Sequence, residues 1–140
     1  MAEDLLAKSL EKAAADPSYK PQFGQIMLAS TIWVIGQIEG ENPSERPVAE
    51  LKIGQNVTFQ SQQLPDGRVL VPFFSSLENL RAFINTQEYV NYLSIPATSL
   101  FRLTKGAIMV LNPAARVSGR FEPEEIAKLM ATWPGDGRPN

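Results

Sequence analysis

The segment Ala97–Pro113 constrains the fold of this chain more than any other stretch of its sequence. Its first half predicts a short helix over Pro96–Thr104, which Gly106 would end in the left-handed conformation that glycine adopts without strain. Its second half predicts a buried strand over Ala107–Leu111, closed by the turn-forming pair Asn112-Pro113. The segment therefore predicts a β-sheet packed with helices, and it contains no nucleophile, metal ligand or phosphate-binding loop.

The composition narrows the chemistry that this chain can perform. Its 140 residues, 44% hydrophobic and 20% charged, fit one ordinary globular domain. It contains no cysteine and no histidine. Those absences exclude disulfide bonds and thiol chemistry, and they remove the usual base of nucleophilic catalysis and the commonest transition-metal ligand. We therefore predict a protein that is not an enzyme, with no catalytic residues, no cofactor and no bound metal ion.

The charge and the N-terminal sequence narrow the partners and the compartment. Because the formal net charge is −2, the chain does not attract polyanions over long range, and we expect no nucleic-acid partner. The opening residues Met1-Ala2-Glu3-Asp4 lack the basic and apolar regions of a secretory signal. No apolar run approaches the roughly 20 residues that span a bilayer. We therefore expect a cytoplasmic protein without a membrane partner.

The first part of the chain contains two predicted helices and a predicted central strand. Apolar residues at helical spacing predict an amphipathic helix over residues 3–15, and a second short helix should run from Pro21 through Met27. The β-branched apolar run Thr31–Ile38 is typical of a central strand. Residues 39–50 are polar and contain proline and glycine, which predicts a loop.

A β-hairpin is predicted next. The alternating side chains of residues 57–62 predict its first strand, Pro65-Asp66-Gly67 supplies the turn, and Val69–Phe74 forms the second strand. Pro72 has no N–H group to donate. The second strand should therefore lie near a sheet edge, or leave the sheet, at that residue.

A helix and a further strand follow the hairpin. Ser75 and Glu78 match a capping box, in which two side chains satisfy free N–H groups at the start of a helix. A strand is predicted over Tyr89–Ile95. The predicted buried face of the helix consists of Leu77, Leu80, Phe83 and Ile84.

The last helix begins at Pro123 and carries three acidic residues around its positive end, Glu122, Glu124 and Glu125. Complementation of the helix dipole explains these carboxylates better than metal binding, because they lack the alternating pattern of a calcium loop and no histidine is present. The apolar stripe of this helix consists of Ile126, Leu129, Met130 and Trp133.

Together these elements predict a single α/β (α+β) domain. We expect a mixed sheet of about five strands, in which an antiparallel meander is followed by βαβαβ units, packed with about five helices. The domain should occupy residues 1–133, and residues 134–140 should form a flexible tail.

Four segments of the chain carry a resemblance to a known family. They are Asp16–Phe23, Val71–Phe83, Leu100–Pro113 and Phe121–Ile126. In this order they resemble the N-terminal domain of the SseB family, the bacterial enhanced serine sensitivity proteins. The resemblance implies a cytosolic bacterial α/β domain from a family with no established enzymatic activity and no agreed catalytic residues. It also implies a link to serine sensitivity, and family members often continue into a second, C-terminal SseB domain.

A candidate ligand site is predicted from position rather than from a motif. Ligands of α/β sheets favour the carboxyl ends of strands, where helix N-termini offer free N–H groups. The polar residues at three such ends are Ser75, Ser76, Thr98, Ser99, Asn112 and Arg116. Residues 97–121 contain basic but no acidic side chains, so a small carboxylate or phosphate is the expected ligand. The alternative is that these residues are helix caps, turn formers and separate solvated charges.

Trp133 is the candidate contact for a protein partner. It lies at the end of the last helix, where a tryptophan can anchor a partner or pack against the sheet. The first helix can likewise cover its own core or dock on another subunit, which leaves the oligomeric state open. The leading hypothesis is a non-enzymatic protein-interaction or regulatory module with an unknown protein partner. The alternative hypothesis is a small-anion or amino-acid sensor that uses the carboxyl ends of the strands.

Overall fold

The computed structural model describes residues 4–38, 57–84 and 92–132, which form helices and strands joined by turns. The helices are α1 (Leu5–Ala15), α2 (Lys20–Leu28), α3 (Leu77–Ile84), α4 (Ala97–Leu103) and α5 (Pro123–Ala131), and a 3₁₀ turn at Pro17–Tyr19 leads into α2. The strands are β1 (Thr31–Ile38), β2 (Val57–Phe59), β3 (Gln62–Gln63), β4 (Val69–Phe73), β5 (Tyr92–Pro96), β6 (Ile108–Leu111) and β7 (Gly119–Phe121). The predicted loop over residues 39–50, the predicted tail over residues 134–140, and Trp133 lie outside the described residues.

The strands form two sheets that one bridge connects. In the first sheet β1 is central, with β2 and β5 antiparallel on either side of it. In the second sheet the order is β3, β4, β6, β7, and only the β4–β6 pair is parallel. Trp33 and Phe74 join the sheets, because the N–H of each donates to the carbonyl of the other at 2.8 Å. The α+β class and the mixed sheet were therefore predicted correctly.

The position of β5 differs from the predicted succession of βαβ units. β5 pairs antiparallel with β1 in the first sheet, so the parallel partner of β4 is β6, which the chain reaches after α3, β5 and α4. The register explains the choice, since it sets Ile95 opposite Ile32 and Leu93 opposite Val34. All four of these side chains are buried in the same core, and cross-strand pairs of β-branched and apolar residues stabilise a sheet.

The main core lies between the sheets and the helices α1, α2, α4 and α5. Aromatic contacts connect its parts: the rings of Phe73 and Phe101 meet edge to face with centroids 5.7 Å apart. Phe23 and Phe121 stack at 5.9 Å. Such pairs add to the free energy gained from burying their area. The core therefore holds α1 and α2 against the second sheet as well as the first.

Helix α3 packs on a second, smaller apolar cluster, in which its Leu80 is buried together with Ile35 and Phe74. The prediction that Phe83 belongs to the buried face was wrong, because this side chain remains 36% exposed. It lies beside the stripe of α3 that packs inward and touches the molecule through the ring of Phe74, at a centroid distance of 5.4 Å. Trp33, which lies in β1 beside this cluster, is half-buried.

The hairpin forms with a divided first strand. Of the two parts of the predicted first strand, β3 pairs with β4, whereas β2 pairs with β1 in the other sheet. The turn is held by Asp66, whose carboxylate accepts the backbone N–H of Arg68 at 3.0 Å, and by Gly67 at φ 90°. β3 pairs with β4 only at Val69 and Leu70, so Pro72 has no partner on the β3 side of its strand. This position agrees with the missing N–H of proline.

Candidate functional site

The start of α3 differs by one residue from the predicted capping box. Ser76, not Ser75, caps the helix: its hydroxyl accepts the N–H of Asn79 at 3.1 Å, and its carbonyl accepts the N–H of Leu80 at 3.2 Å. Adjacent serines have the same capping chemistry, so the sequence alone did not distinguish them. Ser75 is thereby left outside the helix, with its side chain available for other contacts.

Ser75 and Asn112 meet where two parallel strands of the second sheet end. β4 and β6 are parallel and set Phe73 beside Leu111, so both chains leave the sheet at the same point. The Ser75 N–H donates to Asn112 Oδ1, and Asn112 Nδ2 donates to Ser75 Oγ, both at 2.9 Å. Asn112 is 1% exposed and adopts a left-handed φ of 52°, a conformation that asparagine tolerates better than most residues.

The carboxylate of Asp4 completes this group of side chains. Ser75 Oγ donates to Asp4 Oδ2 at 2.8 Å, and Asn79 Nδ2 approaches the same oxygen at 3.3 Å. The second oxygen, Asp4 Oδ1, accepts the N–H of Ala7 at 3.0 Å and so caps α1. We call this set the Asp4 cluster; its members are Asp4, Ser75, Ser76, Asn79 and Asn112. The cluster therefore surrounds a carboxylate at the strand ends, and that carboxylate is the side chain of Asp4.

The other predicted ligand residues lie elsewhere. Thr98 and Ser99 belong to α4, which follows β5 of the first sheet, and Thr98 is buried. Arg116 is exposed in the turn between β6 and β7. Among the described residues, no hydrogen bond or ion pair connects these three side chains to the Asp4 cluster. Of the six predicted residues, the fold therefore brings together Ser75, Ser76 and Asn112.

The sequence analysis missed Asp4 and Asn79 as members of the site. A signal for half of the role of Asp4 was present, because an aspartate directly before a helical stripe is a common N-cap. Its contact with Ser75 crosses 71 residues of sequence, and no local pattern reports a contact of that separation.

The acidic residues at the start of α5 form a second polar group, on the surface. The carboxylate of Glu122 binds Arg68 Nη1 at 2.9 Å and Arg120 Nε at 3.1 Å. Glu125 Oε1 accepts the backbone N–H of Glu122 at 2.9 Å and closes a capping box. Stabilisation of the helix start thus accounts for these carboxylates, as expected from the dipole. In the described part of the chain, no three metal-binding side chains come together.

Two charged side chains near the start of α5, those of Asp66 and Arg68, have shifted pKa values. Hydrogen bonds from the backbone and side chain of Arg68 hold the pKa of Asp66 below its usual value. The same side-chain bond, with a smaller contribution from Glu122, raises the pKa of Arg68. These groups are exposed, so water and mobile ions weaken the ion pairs between them.

The part of the chain that is similar to known proteins coincides with this domain. Residues 6–128, from α1 into α5, match the SseB protein N-terminal domain. The chain belongs to the SseB family. Protein SseB of Escherichia coli (strain K12) and Protein SseB of Shigella flexneri are each 33% identical to it over 129 residues. These matches cover 91% of this chain and 45% of each relative, so this SseB-family chain spans less than half the length of those relatives. No solved structure matches it.

Within the described residues, no helix has the length and apolar character needed to cross a membrane.

Proposed function

We propose that this SseB-family domain is a protein-interaction or regulatory module of the bacterial cytoplasm, with no catalytic activity of its own. The Asp4 cluster supports the second part of the proposal. Its hydroxyl, amide and carboxylate groups are used in hydrogen bonds to one another and in helix caps. The carboxylate that accepts the hydroxyl proton of Ser75 is that of Asp4, and its other oxygen caps α1, so a structural role accounts for this contact. The absence of cysteine and histidine removes the commonest alternatives.

The observation that carries the interaction role is an apolar depression on the second sheet, which we call the sheet-face groove. It has a volume of about 280 Å³. Its apolar lining consists of Leu70, Pro72, Phe83, Val110 and Pro113. Phe83 stands at its rim and is 36% exposed. Apolar surface of this kind, with an aromatic side chain and a polar surround, is typical of a protein-binding site.

The alternative hypothesis, a small-anion or amino-acid sensor at the strand ends, is not favoured. The carboxylate of Asp4 already accepts the hydrogen bond of Ser75, at the place where the carboxylate of a ligand would bind. A free anion would have to displace a group that also caps α1, and the displaced carboxylate would repel it.

A site-specific cross-linking experiment tests the interaction role. A photoreactive phenylalanine at position 83 should cross-link one protein in a bacterial lysate, and the same group at Leu103 should not. Leu103 is a matched control because it is also exposed, at 48%, near the end of a helix. The cross-linked protein is then purified, and its affinity for the unmodified chain is measured by calorimetry.

Charge variants then decide whether the sheet-face groove is the contact. We expect Phe83→Lys to weaken binding about ten-fold or more, which is typical of an interface anchor, while Leu103→Lys changes it little. Trp133→Lys tests the contact predicted from the sequence in the same assay. If Phe83→Lys and Leu103→Lys bind the purified partner equally well, the groove is not the interaction surface.

A further inference from the structure

A second depression, the α4–α5 groove, lies between the end of α4, the start of β6 and α5. Its volume is about 430 Å³. The apolar side chains that line it are Phe101, Ala107, Met109, Pro123, Ile126, Ala127 and Met130. Phe101, Met109 and Ile126 belong to the buried core and form a rigid floor, whereas Ala127 is exposed and Met130 half-exposed at the rim. The unbranched side chains of Met109 in the floor and Met130 at the rim let the groove fit ligands of different shape.

The charged residues that the structure describes at the mouth of this groove are basic. Arg102 and Lys105 both line it, and none of the described lining residues is acidic. Lys105 projects from the turn that Gly106 makes at φ 92°, and it is exposed. Within the described part of the chain Lys105 forms no ion pair. By contrast, Arg68 in the neighbouring depression is already bound to Asp66 and Glu122.

The remaining polar group of the groove is already used. The hydroxyl of Thr104 donates to the carbonyl of Leu100 at 2.7 Å and lies 3.4 Å from the sulfur of Met109. A ligand inside the groove would therefore meet apolar surface below and a cation above. A neutral polar ligand would lose its hydrogen bonds to water without replacement, whereas an apolar body with a single anionic end would match both parts.

We propose that the α4–α5 groove binds a small apolar monocarboxylate, with the hydrocarbon body on Phe101, Met109 and Met130 and the carboxylate beside Lys105. The volume is in the range of small-molecule sites, about 300–1,000 Å³. Such sites combine mostly apolar walls with few polar groups that fix the orientation of the ligand. This binding activity is independent of the interaction role proposed above, since Phe83 and the sheet-face groove do not line it.

Octanoate is the probe, and 1-octanol, which has the same chain length and no charge, is its matched control. Binding is measured by titration with two-dimensional amide NMR spectra and by the melting temperature, because a ligand of the native state raises it. We expect octanoate to shift the amide signals of residues around Lys105 and Met130 in a saturable manner. 1-Octanol should bind the same groove more weakly.

Two variants with matched controls locate the site. Ala127→Trp should fill the groove and weaken octanoate binding more than about ten-fold, whereas Ala131→Trp, also exposed on α5 but outside the lining, should leave it unchanged. Lys105→Gln should weaken octanoate binding about two- to five-fold, as an exposed ion pair does, and should leave 1-octanol binding unchanged. Lys128→Gln controls for the loss of a cation elsewhere.

The outcomes separate cleanly. The proposal is overturned if octanoate produces no saturable shifts, if Ala127→Trp and Ala131→Trp bind it alike, or if Lys105→Gln reduces octanoate and 1-octanol binding equally. Spectra of each unliganded variant establish that it is folded before its affinity is compared. None of these results depends on the partner assay at Phe83, so either proposal can fail without the other.

Discussion

Helices α3 and α5 begin in opposite surroundings, although both starts must satisfy the free N–H groups of a first turn. At α3 the Ser76 cap belongs to the Asp4 cluster, and Asn112 at its centre is 1% exposed. At α5 the cap is Glu122, whose ion pairs with Arg68 and Arg120 join side chains that are 37% to 51% exposed. One local task, capping a helix, is thus performed once in a half-buried polar cluster and once at an exposed surface, and we expect the half-buried cap to contribute more to stability.

The largest effect is expected at Asn112. Asn112→Ala removes both hydrogen bonds to Ser75 and forces alanine into a left-handed backbone conformation. We expect the free energy of unfolding to fall by about 2–4 kcal/mol, measured by urea denaturation. Asn112→Gly loses the same hydrogen bonds without the backbone strain, so it should be more stable than the alanine variant by about 1 kcal/mol. A loss of less than about 1 kcal/mol in Asn112→Ala would contradict a structural role of the cluster.

The next effect is expected at Asp4, which connects α1 to α3. Asp4→Ala should lower the free energy of unfolding by about 1–3 kcal/mol, because it removes the α1 cap and leaves Ser75 without its acceptor. Asp4→Asn should lose less, since asparagine also caps helices. Asp16→Ala is the matched control: Asp16 caps the 3₁₀ turn at an exposed position, and its replacement should cost less. Equal losses at Asp4 and Asp16 would erase the contrast between buried and exposed caps.

A small effect is expected at Arg68 on the α5 side. Arg68→Ala breaks two exposed ion pairs, with Asp66 and Glu122, and such pairs contribute little to stability. We expect a slight decrease in melting temperature at low salt that disappears at high salt, because mobile ions screen exposed charges. A large decrease that persists in high salt would show that this surface group is as important as the Asp4 cluster.

The smallest effect is expected from the titration of Asp66. Its pKa is lowered in the folded protein by hydrogen bonds from Arg68. Since the unfolded pKa is about 3.9, its contribution to stability is present above about pH 4 and is lost as the pH falls through the folded pKa. Asp66→Asn should therefore lose slightly less stability than the unmodified chain on acidification, measured by melting temperature. An NMR titration of the Asp66 carboxyl carbon that gives an ordinary pKa would contradict the prediction.

Local patterns predicted most of the elements. β1 runs over Thr31–Ile38 and α5 begins at Pro123, as predicted, because β-branched runs and an N-terminal proline act on neighbouring residues. Gly106 has its expected positive φ. The capping register at Ser75 was wrong by one residue. β7 was not predicted, since a strand of three residues has too few positions to show a period.

The candidate sites were less predictable than the elements. The strand-end argument selected both Ser75 and Asn112, and the parallel pairing of β4 with β6 brings these two side chains together. Their role in binding a ligand stays a prediction. It did not show that Asp4 fills the position of a ligand. The α4–α5 groove was not predicted at all, since apolar residues such as Met109 and Met130 have the same sequence pattern whether they complete a core or leave it open.

The sequence by itself determined most of the helices and strands, the family, and the absence of cysteine and histidine chemistry, because each depends on residue identity and short-range spacing. Tertiary structure alone decided that β5 pairs with β1, that Asp4 closes the polar edge of the sheet, and that Lys105 stands over an apolar groove. These three features join residues far apart in the chain. Their energies depend on burial, which is a property of the packed fold rather than of any segment.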